Sequence, residues 1–418
     1  MESYDKYIFH IDVNSAYLSW TAVYRLQKGD KIDLRKIPSV IGGDEKSRHG
    51  IVLAKSIPAK KYNIITGESL YSAFQKCPNL KVVHGDFELY NKCSKAIVEI
   101  LLEYSPLLEQ YSIDECFLEV TNKNYTREDY IKLAHQIKDK IKEKLGFTVN
   151  IGISSNKLLA KMASDFKKPD RVHTLFKEEI ESKMWNLPIE NLFMVGKATL
   201  PKLKKININT IGDLAKYDIE KLKYFFKSYG NMIHNYANGI DFSVIDANKK
   251  YKNKNMGNST TIPFDVEDRE TAHRILLSLC ETLGMRLRKS NNYCNVISIS
   301  IRNSEFINYS KQKKIINPIN STNELYKISC KLFDELWHGE PIRLLAVNTS
   351  IVSENFGVQL SLFDKKEDEK YIVLEKTIDS IRDKYGNKSI MKSSFLHSGI
   401  KPISEVVREE LYKASSKK

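Results

Sequence analysis

Nowhere does the 418-residue chain carry the roughly 18 consecutive apolar residues that a membrane-spanning helix needs. Its first residues, Met1-Glu2-Ser3-Tyr4-Asp5, lack the basic and then apolar pattern of a secretory leader. Both absences speak for a cytoplasmic protein with no membrane partner. Cysteine pairs are missing too: Cys77, Cys93, Cys116, Cys280, Cys294 and Cys330 are scattered, with no Cys-x-x-Cys and no Cys/His cluster, which argues against structural zinc and for a reducing compartment. There is no internal repeat and no low-complexity tract. Acid is the scarcer charge. Asp plus Glu number 52 against 66 Lys plus Arg, a formal net charge of +14, and such a balance favours a polyanionic partner, either nucleic acid or an anionic membrane surface.

What is present is apolar residues enough for several cores, 42% of the chain, and a length that at roughly 150 residues per domain predicts two to four domains. Tyr7 to Asp12 reads as a buried strand that runs into a carboxylate. Leu89, Cys93, Ala96, Ile97, Ile100, Leu101 and Tyr104 recur at helical spacing before Pro106, and Tyr130, Leu133, Ala134, Ile137, Ile141 and Leu145 mark a second helix. Strands over Tyr111 to Val120 and Phe147 to Ile153 complete an α+β sandwich, with both helices on one face of the sheet. Residues 18 to 81 form an insertion that reads as a small separate lobe. After Pro169 come short helical pieces rich in lysine, then a polar stretch with the makeup of a linker. A second α+β domain follows, with helices at Arg274 to Lys289 and Leu325 to Leu336 and strands at Asn295 to Ile301 and Arg343 to Ile351. The tail is polar except for Gln359-Leu360-Ser361-Leu362-Phe363 and a helix over Tyr371 to Tyr385.

The residues that point to chemistry are Asp12, at the end of the first strand, and Asp114-Glu115, a hundred residues later on a predicted neighbour. Three carboxylates at one sheet edge repel each other unless cations lie between them, and hard divalent ions are what such oxygen clusters hold. A lone Asp-Glu pair is usually a solvated turn. This pair sits inside an apolar run, Ile113, Cys116, Phe117 and Leu118, and holding both acids at one site needs a bent strand, because successive residues face opposite ways.

Asp12 with Tyr17 five residues on, Tyr111-Ser112-Ile113-Asp114-Glu115, and Asn150-Ile151-Gly152-Ile153-Ser154-Ser155-Asn156-Lys157-Leu158-Leu159-Ala160-Lys161 together resemble the signatures of Y-family translesion DNA polymerases, in the DNA polymerase IV (DinB-like) branch. The resemblance runs in order from residue 7 to about 363. It implies an α+β multidomain, right-hand polymerase. Its parts would be a palm of mixed sheet plus helices (1–17 and 82–175), small fingers (18–81), a helical thumb with a helix-hairpin-helix (176–241), a linker (242–254), an α+β little finger (255–353) and a tail (354–418).

The same resemblance implies template-directed DNA synthesis of low fidelity on primer-template DNA, from deoxynucleoside triphosphates. Asp12, Asp114 and Glu115, with the backbone carbonyl of Val13, would hold two Mg²⁺ ions. Lys60 and Lys168 would meet the triphosphate, and Tyr17 would be a steric gate that excludes a 2′-hydroxyl. Val195-Gly196-Lys197 would grip duplex phosphates without reading bases. Gln359, Leu360, Leu362 and Phe363 resemble the peptide that docks on the bacterial sliding clamp, and the enzyme would act as a monomer.

Four positions depart from the pattern. Ile57 and Lys60 stand where a tyrosine and an arginine are usual, losing a hydroxyl donor and a bidentate fork. Asn14 stands where many relatives have an acid, and Met194 where the hairpin has its first glycine. The competing expectation is a non-catalytic accessory that binds clamp and DNA, against which the intact acids argue. Gly42-Gly43-Asp44-Glu45 also resembles the diguanylate cyclase signature, but Lys46 follows where an aromatic is expected, and a turn is the better account.

Overall fold

The computed structural model describes residues 6–43, 50–247, 255–352, 367–387, 389–396 and 398–400. The clamp-like peptide Gln359 to Phe363, residues Asp44 and Glu45 and most of the expected linker lie outside the described residues. The chain divides into two compact units, meeting in sequence at residues 250 and 251.

In chain order the first unit is β1 (Tyr7–Val13), α1 (Ala16–Gln27), β2 (Ser39–Gly42), β3 (Val52–Lys55), α2 (Ile57–Lys60), α3 (Leu70–Lys76), β4 (Lys81–His84), α4 (Phe87–Leu102), β5 (Leu108–Gln110), β6 (Glu115–Val120), α5 (Arg127–Leu145), β7 (Val149–Ser154), α6 (Lys157–Ser164), β8 (Val172–Thr174), α7 (Ile180–Lys183), α8 (Leu200–Lys205), α9 (Ile211–Lys216), α10 (Ile219–Phe226) and α11 (Ser228–Ala237). The main sheet has the order β5-β6-β1-β7-β8, with β1 antiparallel to both neighbours. Strand alternation divides its two faces. Phe9, Ile11 and Val13 of β1, Cys116, Leu118 and Val120 of β6, and Val149, Ile151 and Ile153 of β7 point to one side. There they share a core with α4 and α5, as the helical spacing predicts. On the opposite face Ile8 of β1 and Phe117 of β6 pack with Ala160 of α6.

α6 packs unusually close. All eight of its residues are buried, and a Cβ at Gly152 would overlap the Ala160 carbonyl and the Ser164 amide, so only glycine lets this helix reach β7. α5 is fixed at its start by a capping box between Thr126 and Asp129 and at its end by Gly146 in the left-handed region. A smaller sheet, β3-β2-β4, has its own core around Val40, Val52, Leu70 and Ala73. α1 serves two cores: Ala16 and Trp20 pack against the main sheet, while Leu18 and Ala22 pack with Leu34 and Ile41. α7 to α11 gather around Leu192, Leu203, Leu214 and Ile233.

The second unit runs β9 (Asn255–Val266), α12 (Arg269–Lys289), β10 (Tyr293–Asn303), β11 (Asn308–Ile319), α13 (Thr322–Asp334), β12 (Ile342–Val352) and α14 (Glu367–Tyr385). Its sheet is antiparallel, in the order β11-β10-β12-β9, and its core lies between the sheet and the pair α12 and α13. α14 joins α12 through charge. Arg382 contacts Glu281 at 2.7 Å with both side chains 4% exposed, and Arg288 contacts Asp379 at 2.6 Å and Glu375 at 3.1 Å. Residues 375, 379 and 382 fall on one helical face, so this seam is an antiparallel ladder of buried ion pairs.

Candidate active site

Asp12 closes β1 directly opposite Glu115, the first residue of β6, and Asn150 of β7 faces it from the other side. Asp114 is not in a strand. Tyr111 to Asp114 form the turn between β5 and β6, where the Tyr111 and Ser112 amides both donate to the Glu115 carbonyl and the Val13 amide donates to the Asp114 carbonyl at 3.1 Å. The required bend is therefore a turn at the strand entrance, and it brings Asp12, Asp114 and Glu115 to one edge.

Each acid has its own partner. Lys168 donates to Asp12 at 2.5 Å and pairs with Asp165 at 2.8 Å. Ser112 Oγ donates to Asp114 at 2.7 Å. Lys161 donates to Glu115 at 2.9 Å. Burial raises Asp12 above its ordinary value, and Glu115 adds to this, more than Lys168 lowers it. Burial also raises Asp114, with the charges of Asp12 and Glu115 beside it and Ser112 opposing. For Glu115 burial is outweighed by the His10 ring, 3.5 Å away, and by Lys161, and its carboxyl falls to about 2. Lys168 is raised, since Asp12 and Asp165 outweigh burial.

Among the described residues no three His, Cys, Asp or Glu side chains surround a common point as they stand, because lysines hold two of the acids. The donor set nevertheless suits a hard divalent ion: it is all oxygen, and its raised carboxyls mark negative charge that a cation would relieve.

Tyr17 lies in the first turn of α1, half-buried and stacked on Tyr90 with ring centroids 4.5 Å apart, with Phe87 edge-on at 5.9 Å. Lys60 is exposed at the end of α2, and Ile57 at its start is 48% exposed. Lys55 feels the charge of Lys60: its pKa is lowered by burial and then by that neighbour. Val195, Gly196 and Lys197 precede α8, where the Gly196 carbonyl accepts the amides of Thr199 and Leu200. Met194, the residue in the glycine position, adopts φ 75° and is held by Tyr229, whose hydroxyl donates to its carbonyl at 2.7 Å. The turn thus keeps the left-handed shape at a cost of about 1 kcal/mol.

Sequence reasoning assigned no role to Lys161, His10 or Asn150, and read Asn14 only as a departure from the family's pattern. For Lys161 a signal existed: Lys157 and Lys161 stand one helical turn apart, and Lys157 pairs with buried Glu109 at 2.7 Å. His10 was also marked by alternation, since it lies on the same face of β1 as Asp12.

Comparison with known proteins identifies the family. Residues 11–165 match the impB/mucB/samB family, residues 253–362 its C-terminal domain, and residues 190–241 the DNA polymerase-iota thumb domain. The chain is 54% identical to DNA polymerase IV of Clostridium acetobutylicum, covering 94% of this chain and 98% of that one. It is 35% identical to DNA polymerase IV of Acetivibrio thermocellus, covering 93% and 97%, and 34% identical to DNA polymerase IV 1 of Bacillus subtilis, covering 95% and 94%. Two solved structures share the fold. A Y-family DNA polymerase chimera of Dbh and Dpo4 has a TM-score of 0.71 at 21% identity, over 85% of this chain and 100% of that one. DinB from Sulfolobus solfataricus has a TM-score of 0.53 at 23% identity, over 83% and 99%. Matched along nearly its whole length, the chain belongs to the impB/mucB/samB family, the Y-family translesion DNA polymerases, in the DNA polymerase IV branch.

Proposed function

We propose that this DNA polymerase extends a primer 3′ end at the carboxylate edge of the main sheet, copying a template strand with low fidelity past damaged bases. The observation that carries the reading is the cross-strand register of Asp12 and Glu115, with Asp114 in the adjoining turn. Asp12, Asp114, Glu115 and the Val13 carbonyl are the groups that would hold two Mg²⁺ ions. Bound there, the ions would supply Lewis acidity for the primer hydroxyl and neutralise the leaving pyrophosphate. Lys168 would bind triphosphate oxygens, with Lys60 a second cation for the same charge. Tyr17 would pack its ring under the incoming sugar, its tilt fixed by Tyr90 and Phe87.

The domain assignment follows: palm 1–17 and 82–175, fingers 18–81, thumb 176–241, linker 242–254 and little finger 255–353. In the thumb, Val195, Gly196 and Lys197 would offer backbone amides and a cation to duplex phosphates. In the tail, Gln359, Leu360, Leu362 and Phe363 would dock a monomeric enzyme on the sliding clamp of a bacterial cytoplasm. No helix among the described residues is long and apolar enough to cross a membrane.

Extension of a labelled primer with Mg²⁺ and deoxynucleotides, by the intact protein and by Asp114→Ala, tests the site. The substitution should abolish extension and leave primer-template binding intact. Unchanged extension would remove Asp114 from the metal site.

A further inference from the structure

The seven residues between α6 and β8, Asp165 to Arg171, carry Lys168, and buried amides hold this loop from beneath. Asn150 is fully buried and Asn14 nearly so. Asn150 Nδ2 donates to the Ser164 carbonyl at 3.0 Å and to the Lys167 carbonyl at 2.8 Å. Its Oδ1 accepts Asn14 Nδ2 at 3.2 Å and the Arg171 amide at 3.3 Å. An amide has two donor hydrogens and two acceptor lone pairs, so all four are used and the orientation of the group is set. Asn14 Oδ1 in turn accepts the Asp170 amide and Thr148 Oγ1, each at 2.9 Å. The backbone is therefore gripped on both sides of Lys168, at Lys167, Asp170 and Arg171.

The two asparagines stand on the same face as Asp12. Asn150 is its cross-strand partner, and Asn14 lies two residues along. From the outside, Asp170 is held by Lys138 at 2.9 Å and Lys142 at 2.8 Å, both on α5. Resting on the reading of Lys168 as a triphosphate ligand, we infer that the Asn14–Asn150 amide pair is a positioning device that sets Lys168 at the carboxylate edge for the incoming nucleotide. The side-chain hydrogen bonds of the pair go to the loop, to Ser164 and to Thr148 and not to Asp12, Asp114 or Glu115, so it acts through the loop. An amide suits residue 14 here, since a carboxylate would set oxygen against Asn150 Oδ1 and leave that acceptor with the Arg171 amide alone.

The test measures the Kd of the complementary deoxynucleotide on the full chain bound to a dideoxy-terminated primer-template, alongside the Kd for the primer-template itself. Asn150→Ala, and separately Asn14→Ala, should weaken nucleotide binding about tenfold by letting Lys168 wander, with primer-template affinity changed less than about twofold. In a Lys168→Ala background the same substitutions should change nucleotide affinity by less than about twofold, because residues acting through one group are not additive. An equal loss with and without Lys168, a parallel loss of primer-template affinity, or a Lys168→Ala variant that binds nucleotide normally would each overturn the proposal. Should Asn150→Ala fail to fold, Asn14→Ala decides, since it removes only one end of the network. The polymerase reading stands or falls separately, on Asp114→Ala in primer extension.

Discussion

Negative charge held at a buried edge is a cost the fold bears whenever no cation relieves it. Asp114 is the clearest case, because its carboxyl is raised by burial and by Asp12 and Glu115. A group raised in the folded state is disfavoured once ionised, so the fold loses stability as pH climbs from the ordinary carboxylate value of 3.8 through the raised one. Asp114→Asn should therefore raise the melting temperature at pH 7 in a chelator by a few degrees while extension is lost. An unchanged or lower melting temperature would show that Ser112 and the turn already compensate the charge. Tyr17 makes a different prediction, since its ring is braced by Tyr90 and Phe87 rather than free to retreat. Replacement by Ala should increase ribonucleotide insertion relative to deoxynucleotide insertion by tenfold or more, on the order of what a lost steric contact can discriminate. Equal selectivity in the two proteins would remove Tyr17 from the gate.

At the scale of elements, α14 is the helix most dependent on charge. Its seam with α12 is polar, and a buried pair that loses one member leaves an uncompensated charge. Arg382→Ala, which strands Glu281, should destabilise the second unit by about 3 kcal/mol, read as an earlier transition in urea; an unmoved midpoint would mean that Lys392, 3.6 Å from Glu281, takes over. How legible each element was follows from its surroundings. α4 and α5 bury one face, so their apolar residues recur at helical spacing. α6 is only eight residues long and buried all round, its two lysines included, so its pattern is too short to stand out except as part of a signature. β6 starts later than alternation suggested, because the Tyr111 and Ser112 amides turn back onto the Glu115 carbonyl instead of pairing with a neighbouring strand. The acids could be read from the sequence, since strand ends and motifs are local. That Lys168 pairs with Asp12, and that Asn14 meets Asn150, could not be read, because strand pairing brings together residues 156 and 136 positions apart.

The whole molecule is basic, with a formal net charge of +14, and such an excess favours phosphate contacts that carry no sequence preference. Such binding alone leaves a polymerase distributed along all available DNA, so a tethering peptide would act by raising local concentration at primer ends. Deleting residues 359–363 should reduce synthesis in the presence of a bacterial sliding clamp and leave clamp-free synthesis unchanged; equal losses in both assays would point to a folding role. The β5–β6 turn constrains how the gene can drift. Glu115 follows the turn at once and pairs with Asp12, so an insertion that slid β6 by one position would turn Cys116, Leu118 and Val120 out of their core and Glu115 into it. Apart from Ser112 and Asp114 the spelling of the turn is negotiable, but its length is not. Insertions and deletions among descendants of this sequence should accumulate elsewhere, making the spacing from Gln110 to Glu115 a more durable mark of descent than most of the residues around it.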